Sequence, residues 1–119
     1  AFWDIPVPAN YYGTGTVKAV YRPSSSTWII KARDPIQYGS NGDIPVPANY
    51  SKKGAFATPA VVRTGNWSWA IMGRAEPILF GQAGDIPVPA DYYGEGKARI
   101  AVFRPSNGRW YIYRKLDDW

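Results

Sequence analysis

The pentapeptide Asp-Ile-Pro-Val-Pro occurs three times in this chain, at residues 4–8, 43–47 and 85–89. More returns with it. Asn10-Tyr11, Asn49-Tyr50 and Asp91-Tyr92 follow the pentapeptide. Ala19-Val20-Tyr21-Arg22, Ala60-Val61-Val62-Arg63 and Ala101-Val102-Phe103-Arg104 form a second block, its arginines spaced 41 and 41 apart. Trp28, Trp69 and Trp110 repeat that spacing, and Ile36-Gln37-Tyr38-Gly39 and Ile78-Leu79-Phe80-Gly81 close the first two copies. A fixed period near 40 residues marks a repeat architecture, in which one small unit stacks on its own copies. The units are residues 4–42, 43–84 and 85–119, within a single domain spanning 1–119, because ~40 residues bury too little surface to stand alone.

The fold class expected is all-β. Eleven prolines and twelve glycines leave little room for a long helix. Each Ala-Val-aromatic block is strand-prone, Pro-Ser-Asn-Gly at 105–108 is turn chemistry, and Trp110-Tyr111-Ile112-Tyr113 resumes as a hairpin partner. Proline confines Ile-Pro-Val-Pro to a short or edge strand. The third copy runs out at Asp117-Asp118-Trp119, where its outer strand should begin, and Ala1-Phe2-Trp3 sits where that strand should end. The termini are therefore expected to complete the last blade, closing three propeller-like blades into a pseudo-threefold ring. Three blades are few, and pairing of two chains into a six-bladed ring stays open beside it.

The third copy, GDIPVPADYYGEGKARIAVFRPSNGRWYIYR, resembles the FG-GAP/VCBS type of β-propeller repeat. The resemblance covers essentially the whole chain, more closely in copies one and three than in copy two. It implies a propeller-like, extracellular or cell-surface module used for attachment, scaffolding or glycan contact. Blades of that family often carry a calcium loop. Here the ligand positions read Asp91, Tyr93, Glu95, Arg99 in the third copy, Asn10, Tyr12, Thr14, Lys18 in the first, and Asn49, Ser51, Lys53, Ala57 in the second. A cation among those positions repels calcium, so the loops are expected to be metal-free turns, and no cofactor is expected.

The repeated residues read as architecture. Asp4, Asp43 and Asp85 cap turns rather than form a catalytic or metal cluster, because the apolar frame around them repeats as faithfully. Trp28, Trp69 and Trp110 read as core or inter-blade packing, sugar stacking being the lesser alternative. Arg22, Arg63 and Arg104 cross-link blades or pair with those aspartates, anion recognition being the lesser alternative. Residues that differ between copies are the better candidates for ligand or partner contact: Trp3, Tyr12, Trp67, Tyr93, Tyr111, Tyr113 and Trp119. Asn49 and Asn66 head N-glycosylation sequons, and Ser24, Ser25, Ser26 and Thr27 form an O-glycosylation run.

Function classes narrow by elimination. The chain has no Cys and no His, which removes disulfides, thiolate nucleophiles and imidazole bases. No Ser or Lys sits in a recognisable catalytic motif and the acids are scattered, so the chain is expected not to be an enzyme. The net charge of +5 is dispersed, which argues against nucleic acid as partner. No apolar run approaches the ~20 residues of a membrane span, and Ala1-Phe2-Trp3 looks like a mature end after removal of a leader. The expectation is a non-catalytic structural or interaction module at the cell surface, such as the globular outer subunit of a filament. A pilus with a separate helical stalk chain is one form. A carbohydrate-binding propeller is the alternative. A protein partner or self-assembly is expected in the first case, glycans in the second.

Overall fold

The computed structural model describes residues 4–40, 42–51 and 55–114. Each repeat forms one small antiparallel sheet. The first sheet runs β1 (Ile5–Pro6), β2 (Ala19–Arg22), β3 (Thr27–Ile30), β4 (Ile36–Gln37), in that spatial order. The second repeats it with β5 (Ile44–Pro45), β6 (Ala60–Arg63), β7 (Ser68–Ile71) and β8 (Ile78–Leu79). The third has β9 (Ile86–Pro87), β10 (Ala101–Arg104) and β11 (Arg109–Ile112), with β10 in the middle. No helix occurs among the described residues, and so none that could cross a membrane.

Local chemistry explains the layout. The β-branched and aromatic blocks form the central hairpins in one register, Tyr21 opposite Trp28, Val62 opposite Trp69 and Phe103 opposite Trp110. The first proline of each pentapeptide, Pro6, Pro45 or Pro87, sits on a two-residue edge strand, where a missing N–H costs no ladder bond. The aspartate before each edge strand grips the arginine at the end of the next: Asp4–Arg22 at 3.0 Å, Asp43–Arg63 at 3.1 Å and Asp85–Arg104 at 2.8 Å, each through two N–H donors. Asp43 and Asp85 also accept the N–H of Ser40 and Gln82, at 2.8 and 2.9 Å, capping the turns that lead in. A tyrosine latch completes the unit. The Tyr11 and Tyr50 hydroxyls donate to the Val7 and Val46 carbonyls at 2.6 Å, and Tyr92 donates to Val88.

The sheets stack in chain order. One core cluster joins the first sheet to the second, packing Tyr21, Trp28 and Ile30 against Val61 with Ala57 and Ala70. The other joins the second to the third, packing Val62, Trp69 and Ile71 against Ala98, Ile100 and Val102. Strand alternation sorts the faces: Val62 and Trp69 look toward the third sheet, Val61 and Ala70 toward the first. Backbone bonds reinforce each step, from Ala57 N–H to the Asn10 carbonyl at 2.9 Å and from Ala98 N–H to the Asn49 carbonyl at 2.6 Å. Among the described residues no core cluster joins the third sheet to the first. The expected closure of the last blade falls on residues 1–3 and 115–119, outside the described residues.

Candidate interaction surface

The repeats supply their own control. Trp28 and Trp69 are fully buried, and their indole N–H groups donate to the carbonyls of Tyr38 and Phe80 just beyond the outer strand. Trp110 holds the same strand position, yet it is 56% exposed, and among the described residues its indole N–H has no acceptor. Around it stand Phe103, its ring 5.0 Å away, and Tyr92, at 6.4 Å in an edge-to-face arrangement. Val88 is half-buried where Val7 and Val46 are buried. Among the described residues, the face that the first two sheets cover with the next repeat is thus only partly covered in the third, with Trp110 exposed and Val88, Tyr92, Phe103 and Ile112 half-buried. Trp110, read from the sequence as packing, is the most exposed tryptophan described.

The opposite end of the stack is open too. On the outer face of the first sheet, Lys18, Val20, Ile29 and Lys31 line a shallow, mostly apolar recess with Ala19. Val20 and Ile29 correspond to Val61 and Ala70 of the second repeat, the residues that receive the Trp28 face.

The residues singled out as contact candidates scatter. Trp3 and Trp119 lie outside the described residues. Tyr12 is half-buried, with its hydroxyl donating to the Lys31 carbonyl at 2.6 Å. Tyr93 is exposed, held under the guanidinium groups of Arg99 and Arg114 at 5.3 and 5.5 Å. Tyr111 is half-buried with Arg104 stacked 4.2 Å from its ring, and Tyr113 packs edge-on to Phe80, joining the third repeat to the second. Trp67 is buried rather than at the surface. It occupies a hairpin turn at φ 54°, a costly conformation for a bulky residue, and its ring lies over Gly81, where a Cβ would come within 2.6 Å of it. Missed by sequence reasoning were Trp110, hidden by its repeat, and Phe56, exposed beside the second loop.

Neither sequon asparagine is a bare acceptor. The Asn49 amide donates to the Gly96 carbonyl at 3.2 Å while its oxygen accepts from the Ser51 N–H and hydroxyl. Asn66 is exposed and its oxygen accepts from Ser68 in the same way. In the 24–27 run, Ser24 and Ser25 are exposed, Ser26 has a positive φ of 51°, and Ser25 and Thr27 share a hydroxyl bond of 2.8 Å.

The charged groups serve the scaffold. The bond from Arg104 holds the Asp85 carboxyl below its ordinary range despite burial, and Arg22 does the same for Asp4. Asp91 turns both oxygens onto the Glu95 and Gly96 N–H groups at 2.9 Å, and those bonds depress its pKa. Arg99 follows the Asp91–Gly96 loop and clasps Glu95 at 2.6 Å. Among the described residues no three acidic side chains gather into a metal-binding group. Burial pushes the Tyr50 and Tyr11 phenols up, keeping both protonated as donors.

No protein family, curated protein or solved structure matches the chain.

Proposed function

We propose that the chain is a non-catalytic structural and interaction module of an extracellular or cell-surface assembly, such as the globular outer subunit of a filament whose helical stalk is a separate chain. The observation that carries this is the uncovered aromatic face of the third sheet, with Trp110 at its centre. A contiguous exposed apolar surface on an otherwise well-packed domain is the ordinary mark of a docking site. In the first two repeats the equivalent face is packed against the following repeat, which supports reading the third as a docking face.

The electrostatics favour the same conclusion. Asp4, Asp43, Asp85, Asp91 and Glu95 are each bound to an arginine or to backbone N–H groups, which suits a rigid scaffold better than acid–base chemistry. At the finer level of fold, the three sheets are read as consecutive propeller-type blades of the FG-GAP/VCBS kind, and of the two closures, a pseudo-threefold ring within one chain or two chains paired into six blades, the exposed Trp110 favours the second. The threefold sugar site of the carbohydrate-binding alternative has less support, because Tyr12, Ser51 and Tyr93 stand in three different environments.

The test uses native material. Source cells are sheared, polymers pelleted, and the pellet examined by mass spectrometry. Recovery of this chain in fixed stoichiometry with a helical partner is the expected result. Recovery only in the soluble fraction, with selective retention on a glycan array, overturns the filament role in favour of sugar binding.

A further inference from the structure

We propose that the open face of the third sheet docks onto the outer face of the first sheet of a second copy, so that copies associate head to tail. This rests on the assembly role above and names its partner: the chain itself.

The register of the repeats carries the inference. Within one molecule the same joint is made twice. A face built on Tyr21 and Trp28, or on Val62 and Trp69, closes against a face built on Val61 and Ala70, or on Val102 and the third repeat's Ala98 and Ile100. Continuing the series by one step leaves Phe103 and Trp110 as the donor face. Subtracting 41 from Val61 and Ala70 gives Val20 and Ile29 as the acceptor face. In the single chain Trp110 is exposed while Phe103, Val20 and Ile29 are half-buried, and the two faces are the two ends of one stack.

The backbone joint extends in the same way. Asn10 and Asn49 offer a carbonyl to Ala57 and Ala98 of the following repeat. Asp91 holds that position in the third repeat and Thr16, 41 residues before Ala57, holds the matching donor position in the first. Both are exposed. The head-to-tail joint therefore places the Asp91 carbonyl against the N–H of Thr16 of the second copy.

One position departs from the series. Lys18 stands where the later repeats have Pro59 and Ile100. Its aliphatic stem prolongs the apolar recess while its ammonium is drawn to the π-faces of an arriving tryptophan and tyrosine. An interface joining two different faces is heterologous: it closes into a ring where the rotation allows and otherwise grows. Two copies joined at both ends would bring six sheets into one ring.

Sedimentation of the purified full chain from micromolar to millimolar concentration tests this, with two variants checked for fold by circular dichroism. Trp110→Lys spoils the donor face, and Val20→Lys with Ile29→Lys spoils the acceptor face. The wild type is expected to associate as concentration rises, and each variant alone to associate at least roughly thirtyfold more weakly. Mixed, the two variants still hold one intact face each and form a one-to-one heterodimer that grows no further. A wild type that stays monomeric throughout overturns the proposal. So does a Trp110→Lys chain that associates as the wild type does, or a mixture that forms no heterodimer. A monomeric result here leaves the assembly role standing, because its own test is recovery of the chain in sheared polymer.

Discussion

Trp69 and Trp110 occupy the same strand position 41 residues apart, yet the first is fully buried and the second is 56% exposed. The difference does not lie in the hairpins, whose registers agree residue for residue. It lies in the neighbour. The second sheet is packed on both faces, and Val61 and Val62, adjacent on one strand and pointing opposite ways, are both buried. Among the described residues the third sheet has a neighbour on one side only, and Val102 is buried while Phe103 and Trp110 are not fully covered. A repeat of this size thus encodes a two-sided building block, and each sheet acquires its core from what comes next. Leaving an indole more than half exposed forgoes roughly 3 kcal/mol of apolar burial, a gain that docking can recover.

The contrast is tested most strongly by truncating the two tryptophans. Trp69→Ala is expected to cost about 3–5 kcal/mol, enough to threaten folding, whereas Trp110→Ala in dilute protein costs less than about 1 kcal/mol. Urea denaturation of both variants checks this. Equal losses would mean that the third sheet is covered after all.

A smaller effect separates scaffold from surface within the third sheet. Asp85 is buried and bound to Arg104, so Asp85→Asn should lose about 2 kcal/mol at pH 7 despite the open face beside it. Its folded pKa lies below the ordinary value of 3.8, so its contribution is present above that pH and is lost as pH falls through the folded pKa. The stability gap between the wild type and Asp85→Asn chains should therefore narrow as pH falls below 3.8 and through the folded pKa. Thermal melts at pH values descending from 7 into the acid range report this, and a gap that does not narrow at all would place the cost in packing instead.

The smallest effect concerns the second repeat, where Ser51 replaces the tyrosine found at Tyr12 and Tyr93. A cavity of about 210 Å³ lies there, bounded by Ser51, Phe56, Thr58, Met72 and others. The Lys31 carbonyl that Tyr12 reaches in the first repeat corresponds to that of Met72. Ser51→Tyr should fill the space and raise stability by about 1 kcal/mol, a few degrees in Tm. No change, or a loss, would show that the second loop does not follow its neighbours.

What periodicity encodes was legible in the sequence. The three units, the edge position of the prolines and the core tryptophans of the first two repeats follow from spacing and strand chemistry, because each is decided within one copy. What depends on another copy was not. Trp110 occupies the strand position of Trp28 and Trp69, and it is a surface residue because no sheet among the described residues covers it. Trp67 has the opposite history. It breaks the repeat and so looks like a surface substitution, but it sits at the turn position of Ser26 and Gly108 and folds its ring over Gly81, just beyond the outer strand of its own sheet. Tyr113 likewise gains its place from Phe80, more than thirty residues away.

The most direct measurement is fluorine NMR of the chain labelled with 5-fluorotryptophan, with a soluble paramagnetic quencher, at low and high protein concentration. Trp28, Trp67 and Trp69 should resist the quencher throughout, whereas the Trp110 resonance, assigned by Trp110→Phe, should be quenched when dilute and protected when concentrated. A Trp110 resonance as protected as that of Trp69 in dilute protein would contradict an open third sheet. One that stays quenched at every concentration would contradict its role as a docking face for a second copy.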